Sequence, residues 1–198
     1  MTGIDVQPEM VAYVQEEARK TGVAVAVAVD DLRGLTVQGA HDVAYCFMDT
    51  FRFLLTNEEI LQHLRAVAQL LAPGGLYLLD FWVPRQWELI GSEVHQWEQQ
   101  DGETTVRVFY LQYPDSIDPI HQTFDDELVF EVQQDGETTE IRGGPTRTRL
   151  LLPQEFRMIV EASGVFDLLS FHGEFDLAKP LDHESLSWRM ISVLKKCG

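Results

Sequence analysis

The stretch TNEEILQHLRAVAQLLAPGGLYLLDF, from Thr56 to Phe81, decides the fold class. Thr56 and Glu59 have the spacing of a capping box, in which a Thr hydroxyl and a Glu carboxylate satisfy the free N–H groups of a helix start. Ile60, Leu61, Leu64, Val67, Ala68 and Leu71 then recur at helical spacing and give the helix one apolar face. Pro73-Gly74-Gly75 ends it, and Leu76 to Phe81 reads as a strand. A helix delivered by a glycine turn into an apolar strand is a building unit of a helix-covered sheet.

The same alternation runs back to the N-terminus. Gly3-Ile4-Asp5-Val6 reads as the end of a buried strand, and Pro8 suits a first helical position. Met10, Val11, Val14 and Ala18 fall on one face of a helix closed by Gly22. Val23 to Val29 contains only Val and Ala, the pattern of an interior strand with two apolar faces, and it stops at Asp30-Asp31. A third strand follows at Asp42 to Phe47. The expectation to residue 81 is therefore β-α-β-loop-β-α-β in a mostly parallel sheet.

After Pro84 the period changes. The heptapeptide QQDGETT occurs twice, at Gln99–Thr105 and Gln133–Thr139. Asp-Gly favours the positive backbone dihedrals of tight hairpin turns, which predicts hairpins at about 94–113 and 123–142; duplication and coincidence of two similar turns both remain open. Pro153 opens a helix with Phe156, Ile159 and Val160 inward and Gly164 as its cap, and strands follow at Phe166–Phe175 and Leu186–Leu194. The organisation expected is a core over 1–84, a β-hairpin insertion or lid over 85–152, and a helix with a strand pair over 153–198 that completes the core.

Composition narrows the function classes. Fifteen Lys and Arg against 32 Asp and Glu leave a formal charge of -17, which repels nucleic-acid phosphates and anionic lipid. No apolar run approaches the roughly 20 residues of a membrane span, and the first residues lack a basic-then-apolar leader, so a cytoplasmic protein is expected. Cys46 and Cys197 make neither a disulfide framework nor a metal cluster. The six histidines show no H-x-x-x-H or H-E-x-x-H spacing, so no metal is expected.

Several segments carry a family resemblance. Gly3-Ile4-Asp5-Val6-Gln7-Pro8-Glu9-Met10 resembles the G-[IVF]-D-x-S-x-x-M end of the second strand in class I S-adenosylmethionine-dependent methyltransferases. Val29-Asp30-Asp31-Leu32-Arg33 resembles the segment after their third strand, His41 to Phe47 their fourth strand, and Leu71-Ala72-Pro73-Gly74-Gly75-Leu76 the turn before their fifth. The 153–163 helix with Ser163-Gly164-Val165-Phe166, and Ser187 to Ile191, resemble the end of the family domain.

The resemblance implies S-adenosylmethionine as cofactor and a Rossmann-like α/β fold. Asp5 then accepts from the ribose hydroxyls, with Val6 beside it, and Asp31 receives the adenine amino group while the Leu32 N–H reaches a ring nitrogen. Read without the family, Asp5 is a solvated residue at a helix start and Asp31 a turn former, with Asp30 competing for the register. Phe47, Met48 and Asp49 follow the fourth strand, where open α/β sheets bind ligands, and lie by resemblance near the methionine end of the cofactor and the substrate. Trp82, His95, Trp97, Tyr110 and His121 are candidate substrate contacts, although Trp82 equally suits packing under the hairpins.

One departure matters. The family's first strand ends in an acidic-Gly-x-Gly-x-Gly loop and lies mid-sheet, in the order 3-2-1-4-5-7-6; the sequence begins at strand two, so strand and loop are absent from it. The gap is expected to be filled by further chain, by a second chain, or by direct pairing of strands two and four. The leading expectation is methyl transfer to a small molecule, with no nucleic-acid or membrane partner and a homo-oligomer compatible. A non-catalytic remnant acting as an interaction protein is the alternative, and a nicotinamide dehydrogenase fits the Pro-Gly-Gly turn less well.

Overall fold

The computed structural model describes residues 1–84, 90–91, 94–182 and 187–198. At the N-terminus, β1 (Thr2–Asp5) and β2 (Ala26–Val29) pair in parallel from Thr2 opposite Ala26 to Asp5 opposite Val29. The helix between them, α1 (Pro8–Thr21), starts at proline and stops at Gly22, whose φ of 69° is left-handed. Its apolar stripe is only partly covered: Val11 is buried, while Met10 and Val14 are exposed. Nor is Val23 to Val29 an interior strand; it becomes extended at Ala26 and, among the described residues, has β1 as its one neighbour.

A second unit begins with β3 (His41–Cys46), a short 3-10 turn at Thr50–Phe53, α2 (Asn57–Leu70) and β4 (Leu71–Trp82). The capping box is formed as expected: Glu59 N–H donates to the Thr56 hydroxyl at 3.1 Å, and the Glu59 carboxylate accepts from Thr56 N–H at 3.0 Å. Pro73-Gly74-Gly75 lies inside β4, where the register to β3 shifts between His41 and Val43. A Cβ on Gly75 would sit 3.0 Å from the Ala72 carbonyl and 3.1 Å from that of Asp42, so the glycine permits close strand approach. From Val43 opposite Leu76 to Cys46 opposite Leu79, β3 and β4 are parallel.

The inserted segment is all antiparallel: β5 (His95–Asp101), β6 (Thr104–Asp118), β7 (Thr123–Gln134), β8 (Glu137–Arg142) and β9 (Thr146–Arg149), in the order β5-β6-β7-β8 with β9 also on β7. Then α3 (Pro153–Ser163), capped by Gly164, precedes β10 (Phe166–His172) and β11 (Arg189–Lys196). Leu186, where the last strand was expected to begin, lies outside the described residues. The second sheet runs β10-β11-β4-β3, with β11 antiparallel to both neighbours.

The core fills the space between that sheet, α2 and α3, with Phe51, Leu64, Tyr77, Phe81, Phe156 and Leu194 at its centre. A smaller cluster of Ile90, Phe124 and Leu150, with Trp82 leaning on it, joins the hairpin sheet to the core. The direct pairing of β1 with β3 that was one of the expected arrangements is not observed: among the described residues β1 pairs with β2 and β3 with β4. Parallel pairing is accordingly confined to those two pairs within a mixed α/β architecture.

The two QQDGETT copies form the expected hairpins in different registers. In the first, Asp101 opposes Thr104, so the loop is Gly102-Glu103, with Gly102 at φ 59°. In the second, Gln134 opposes Glu137, so the loop is Asp135-Gly136, with both residues left-handed at 52° and 81°. The one-residue slip reverses which face each side chain takes. Asp135→Ala is therefore expected to cost about 1 kcal/mol, because alanine lacks the polar side chain that eases αL, whereas Asp101→Ala in its strand costs little. Urea unfolding midpoints check this; the opposite ranking would show the registers to be exchanged.

Candidate functional site

The C-terminal ends of the parallel strands carry the expected residues. Because Asp5 lies beside Val29 in a parallel pair, Asp5 and the Asp30-Asp31 corner share one end of the sheet, and Asp30 N–H donates to the Asp5 carbonyl at 3.0 Å. The Asp5 carboxylate accepts from Gln7 N–H at 2.8 Å, so it sits at the opening of α1. Asp30 and Asp31 differ in their hydrogen bonding. Asp30 turns into its own loop, accepting from Thr36 N–H at 2.7 Å, Val37 N–H at 3.1 Å and Asp31 N–H at 3.0 Å. Burial pushes its pKa up, but these backbone donors outweigh burial and hold it below the usual carboxylate range. Asp31 is half-exposed and holds only the adjacent Arg33, at 2.9 Å to the N–H and 3.0 Å to the guanidinium.

Leu32 is fixed by a residue the sequence reading passed over. Its carbonyl lies 2.7 Å from His63 Nδ1, and His63 Nε2 lies 2.8 Å from the Tyr77 hydroxyl. Nδ1 therefore carries the proton and Nε2 accepts. His63 stands on the buried face of α2, and its burial holds the imidazole neutral, with its pKa lowered to about 4. Leu32 and Leu35 also pack against the main core, so this loop links the β1–β2 unit to the rest.

After β3 the backbone takes two consecutive left-handed residues, Met48 at φ 61° and Asp49 at φ 62°. Each costs on the order of 1–2 kcal/mol in a non-glycine residue, so the surroundings must hold them. Met48 N–H donates to Asp80 Oδ1 at 2.7 Å, and the other oxygen of Asp80 pairs with Arg189. Asp80 is 0% exposed; its burial raises its pKa, and the Arg189 charge and the Met48 N–H oppose that. Met48 itself is exposed. Pairing of β3 ends at Cys46 while β4 continues to Trp82, and there the Asp49 carboxylate takes the Trp82 N–H, supplying an acceptor where the parallel ladder has stopped. Phe47 stacks on Tyr45 with centroids 5.2 Å apart and meets Phe175 edge-on at 5.2 Å.

The expected substrate contacts divide into two groups. His95 and Trp97 lie on one face of β5 and are exposed, His95 with its ring 6.4 Å from that of Trp188. Val6, at the end of β1, is exposed too. His121 sits at the β6–β7 connection, bonded to Asp118 at 2.7 Å. Trp82 and Tyr110 instead face inward. Trp82 packs 5.9 Å from Phe124, and the Tyr110 hydroxyl donates to Asp126 at 2.7 Å. Both surround Arg52, a second residue the sequence reading missed. A groove of about 450 Å³ lined by Val94, Phe109, Leu111 and Val129 opens on the opposite face of the hairpin sheet from His95 and Trp97. Among the described residues no three His, Cys, Asp or Glu side chains cluster as metal ligands.

Residues 1–75 match the family model described as methyltransferase domain. A S-adenosylmethionine-dependent methyltransferase from Clostridium acetobutylicum superposes with a TM-score of 0.77 at 14% identity, over 100% of this chain and 75% of that one. The CcbJ methyltransferase of Streptomyces caelestis gives 0.73 at 19% identity, over 100% and 74%. CalS10, an amino pentose methyltransferase from Micromonospora echinaspora solved with S-adenosylmethionine bound, gives 0.69 at 19%, over 98% and 73%. No curated protein matches the sequence. The fold is that of the class I methyltransferases.

In this methyltransferase fold the matched segment runs from β1 into β4, and so contains Asp5, Asp31, Asp49 and the His63 tether. The tether has a pH signature. The unfolded chain protonates His63 near 6.5, whereas the folded chain resists until about 4. The stability that His63 contributes by staying neutral is thus complete above about pH 6.5 and falls as pH drops toward 4, by on the order of 3 kcal/mol in all. Unfolding midpoints across pH 4–7 are expected to flatten in His63→Gln; an unchanged slope would mean that other groups carry the acid sensitivity.

Proposed function

We propose that this chain takes part in methyl transfer from S-adenosylmethionine to a small-molecule acceptor, and that the ends of β1, β2 and β3 form the cofactor side of its cleft. The observation that carries this reading is the pairing of Asp5 and Asp31 at one end of a parallel strand pair, with Asp30 withdrawn into its loop. The donor set fits the group. A carboxylate at Asp5 can accept from two vicinal ribose hydroxyls at once, and one at Asp31 can accept from an adenine amino group. Val6 and Leu32 flank them with apolar surface, and Phe47 follows the C-terminal end of β3 in the other sheet.

When bound, the cofactor supplies a methyl group on a cationic sulfur, open to in-line displacement. For the protein the task is then placement: donor and acceptor held in attack geometry account for much of the rate. Asp49 offers a negative charge suited to a sulfonium or an amine acceptor. Met48, Trp82, His95, Trp97 and Tyr110 would shape the acceptor side, with the hairpin sheet as its lid. CalS10 acts on an amino pentose, which makes an amine-bearing sugar a fitting class of acceptor to try first.

A second reading, a methyltransferase-like interaction protein, is favoured by one observation: β1 and β3 each pair on one side among the described residues, leaving strand edges of the kind that bind other chains. Affinity separates the readings. Two carboxylate anchors at about 1.5–3 kcal/mol per hydrogen bond do not offset the roughly 4–15 kcal/mol cost of immobilising a ligand, so the 198-residue chain is expected to bind at millimolar level. Saturation-transfer NMR with S-adenosylhomocysteine is expected to show adenine and ribose signals that fall several-fold in Asp5→Asn and Asp31→Asn. A version carrying the family's strand and glycine-rich loop ahead of Met1 is expected to bind much more tightly. Signals indifferent to both substitutions, or none at millimolar ligand, would favour the interaction protein, and micromolar binding would mean that another segment replaces the loop.

A further inference from the structure

Arg52 is 1% exposed and stands on the 3-10 turn that follows β3, three residues after Asp49. Its guanidinium lies against two rings that touch each other, 5.4 Å from the centroid of Trp82 and 5.0 Å from that of Phe124. Every strong acceptor it finds belongs to the hairpin sheet. Nε donates to the Arg149 carbonyl at 2.9 Å, and Nη2 donates to the Thr148 hydroxyl at 2.7 Å and approaches Asp126 at 3.5 Å. Nη1 meets the Tyr110 hydroxyl at 3.4 Å and lies 3.9 Å from Asp49. Asp126 is itself shared, accepting from Tyr110 at 2.7 Å and from Thr148 at 3.0 Å.

A planar five-donor fork that rests on an aromatic pair and donates to several fixed acceptors has little freedom to turn without losing several bonds together. On one side it grips β7 and β9, and on the other it stands against the carboxylate that caps the Trp82 N–H. The Asp49 side chain has no other cation within ion-pair distance among the described residues. Its direction is thus set by two groups, the Trp82 N–H and Arg52, and the position of Arg52 is set by the hairpin sheet.

We propose that Arg52 is a positioning residue that couples the docking of the hairpin sheet to the aim of the Asp49 carboxylate. When the sheet seats on the core, Asp126 and Thr148 draw the guanidinium into place, and Arg52 holds Asp49 against the end of β4. When the sheet lifts, the fork loses its acceptors and Asp49 is released toward solvent. The functional meaning, a carboxylate presented to the acceptor only under a closed lid, rests on the methyl-transfer reading; the coupling itself does not.

Amide hydrogen exchange on the whole chain, without cofactor or acceptor, reads the coupling directly. The reporter is the Trp82 N–H, whose acceptor is Asp49, compared with the Leu78 and Asp80 amides, which alternate onto the same side of β4 and face β3. Asp126→Asn, on the sheet side and far along the chain, is expected to speed Trp82 exchange about tenfold while leaving Leu78 and Asp80 unchanged. In an Arg52→Met background the same Asp126→Asn change is expected to add less than twofold, because the connection is already cut. A merely structural plug would instead raise exchange across the hairpin sheet and leave Trp82 alone, or give additive effects, and either result overturns the proposal. Loss of S-adenosylhomocysteine binding in the native chain would sink the cofactor reading without touching this one.

Discussion

The buried carboxylate of Asp80 is the constraint on which the rest of the site depends. It lies in β4 with no solvent exposure, and a carboxylate there is tolerable only if fixed donors surround it. Two arrive from opposite directions: the Met48 N–H from the end of β3, and the Arg189 guanidinium from the start of β11. Meeting that demand turns Met48 and Asp49 into left-handed geometry, which brings the Asp49 carboxylate onto the Trp82 N–H and sends Thr50–Phe53 inward. Arg52 is thereby carried into the seam under the hairpins. The need to satisfy one buried charge in a strand thus accounts for the strained loop, the cap on β4 and the anchoring of the inserted sheet.

The other half of the cleft is held far more lightly. The β1–α1–β2 unit has one buried residue in its helix, and Val6, Tyr13 and Val29 are exposed around it. Its link to the core passes through Leu32 and Leu35 and the bond from His63 to the Leu32 carbonyl. Local stability follows buried apolar contact and protected hydrogen bonds, so this unit belongs at the low end of the molecule and the β3–β4–β11 seam at the high end. A ligand held between the two, as proposed, would meet one rigid wall and one lightly tethered wall.

Much of the fold was legible because it is written in local periodicity. The helical stripe of Ile60 to Ala68, the capping box at Thr56 and Glu59, and the glycine caps at Gly22 and Gly164 are all decided within a few residues, whereas Leu71, expected on the stripe, already opens β4. The proposed ribose and adenine contacts, Asp5 and Asp31, were suggested only through resemblance, and that Asp30 is engaged by its own loop had to wait for the loop to show its N–H groups. What escaped was long-range. Met10 and Val14 carry the helical period, but their exposure is set by what does or does not pack on α1. Identical QQDGETT segments gave different turns because β6 and β7 fix the registers. Arg52 looked like a polar exception in Phe51-Arg52-Phe53-Leu54-Leu55, since its partners Tyr110 and Arg149 lie 58 and 97 residues away. His63 carried a signal that could have been read: it falls on the same helix face as Ile60, Leu64 and Val67, and a histidine on a buried stripe needs a partner for each ring nitrogen.

The central claim is that the ends of β1, β2 and β3 form a single nucleoside-binding face. Backbone amide chemical shifts recorded during titration with S-adenosylhomocysteine test it most directly. The account predicts shifts grouped at Asp5–Val6, Asp31–Leu32 and Phe47–Asp49, with the hairpin tips at Gly102 and Gly136 silent. Shifts confined to the hairpin sheet, or to the outer groove around Phe109 and Val129, would contradict it.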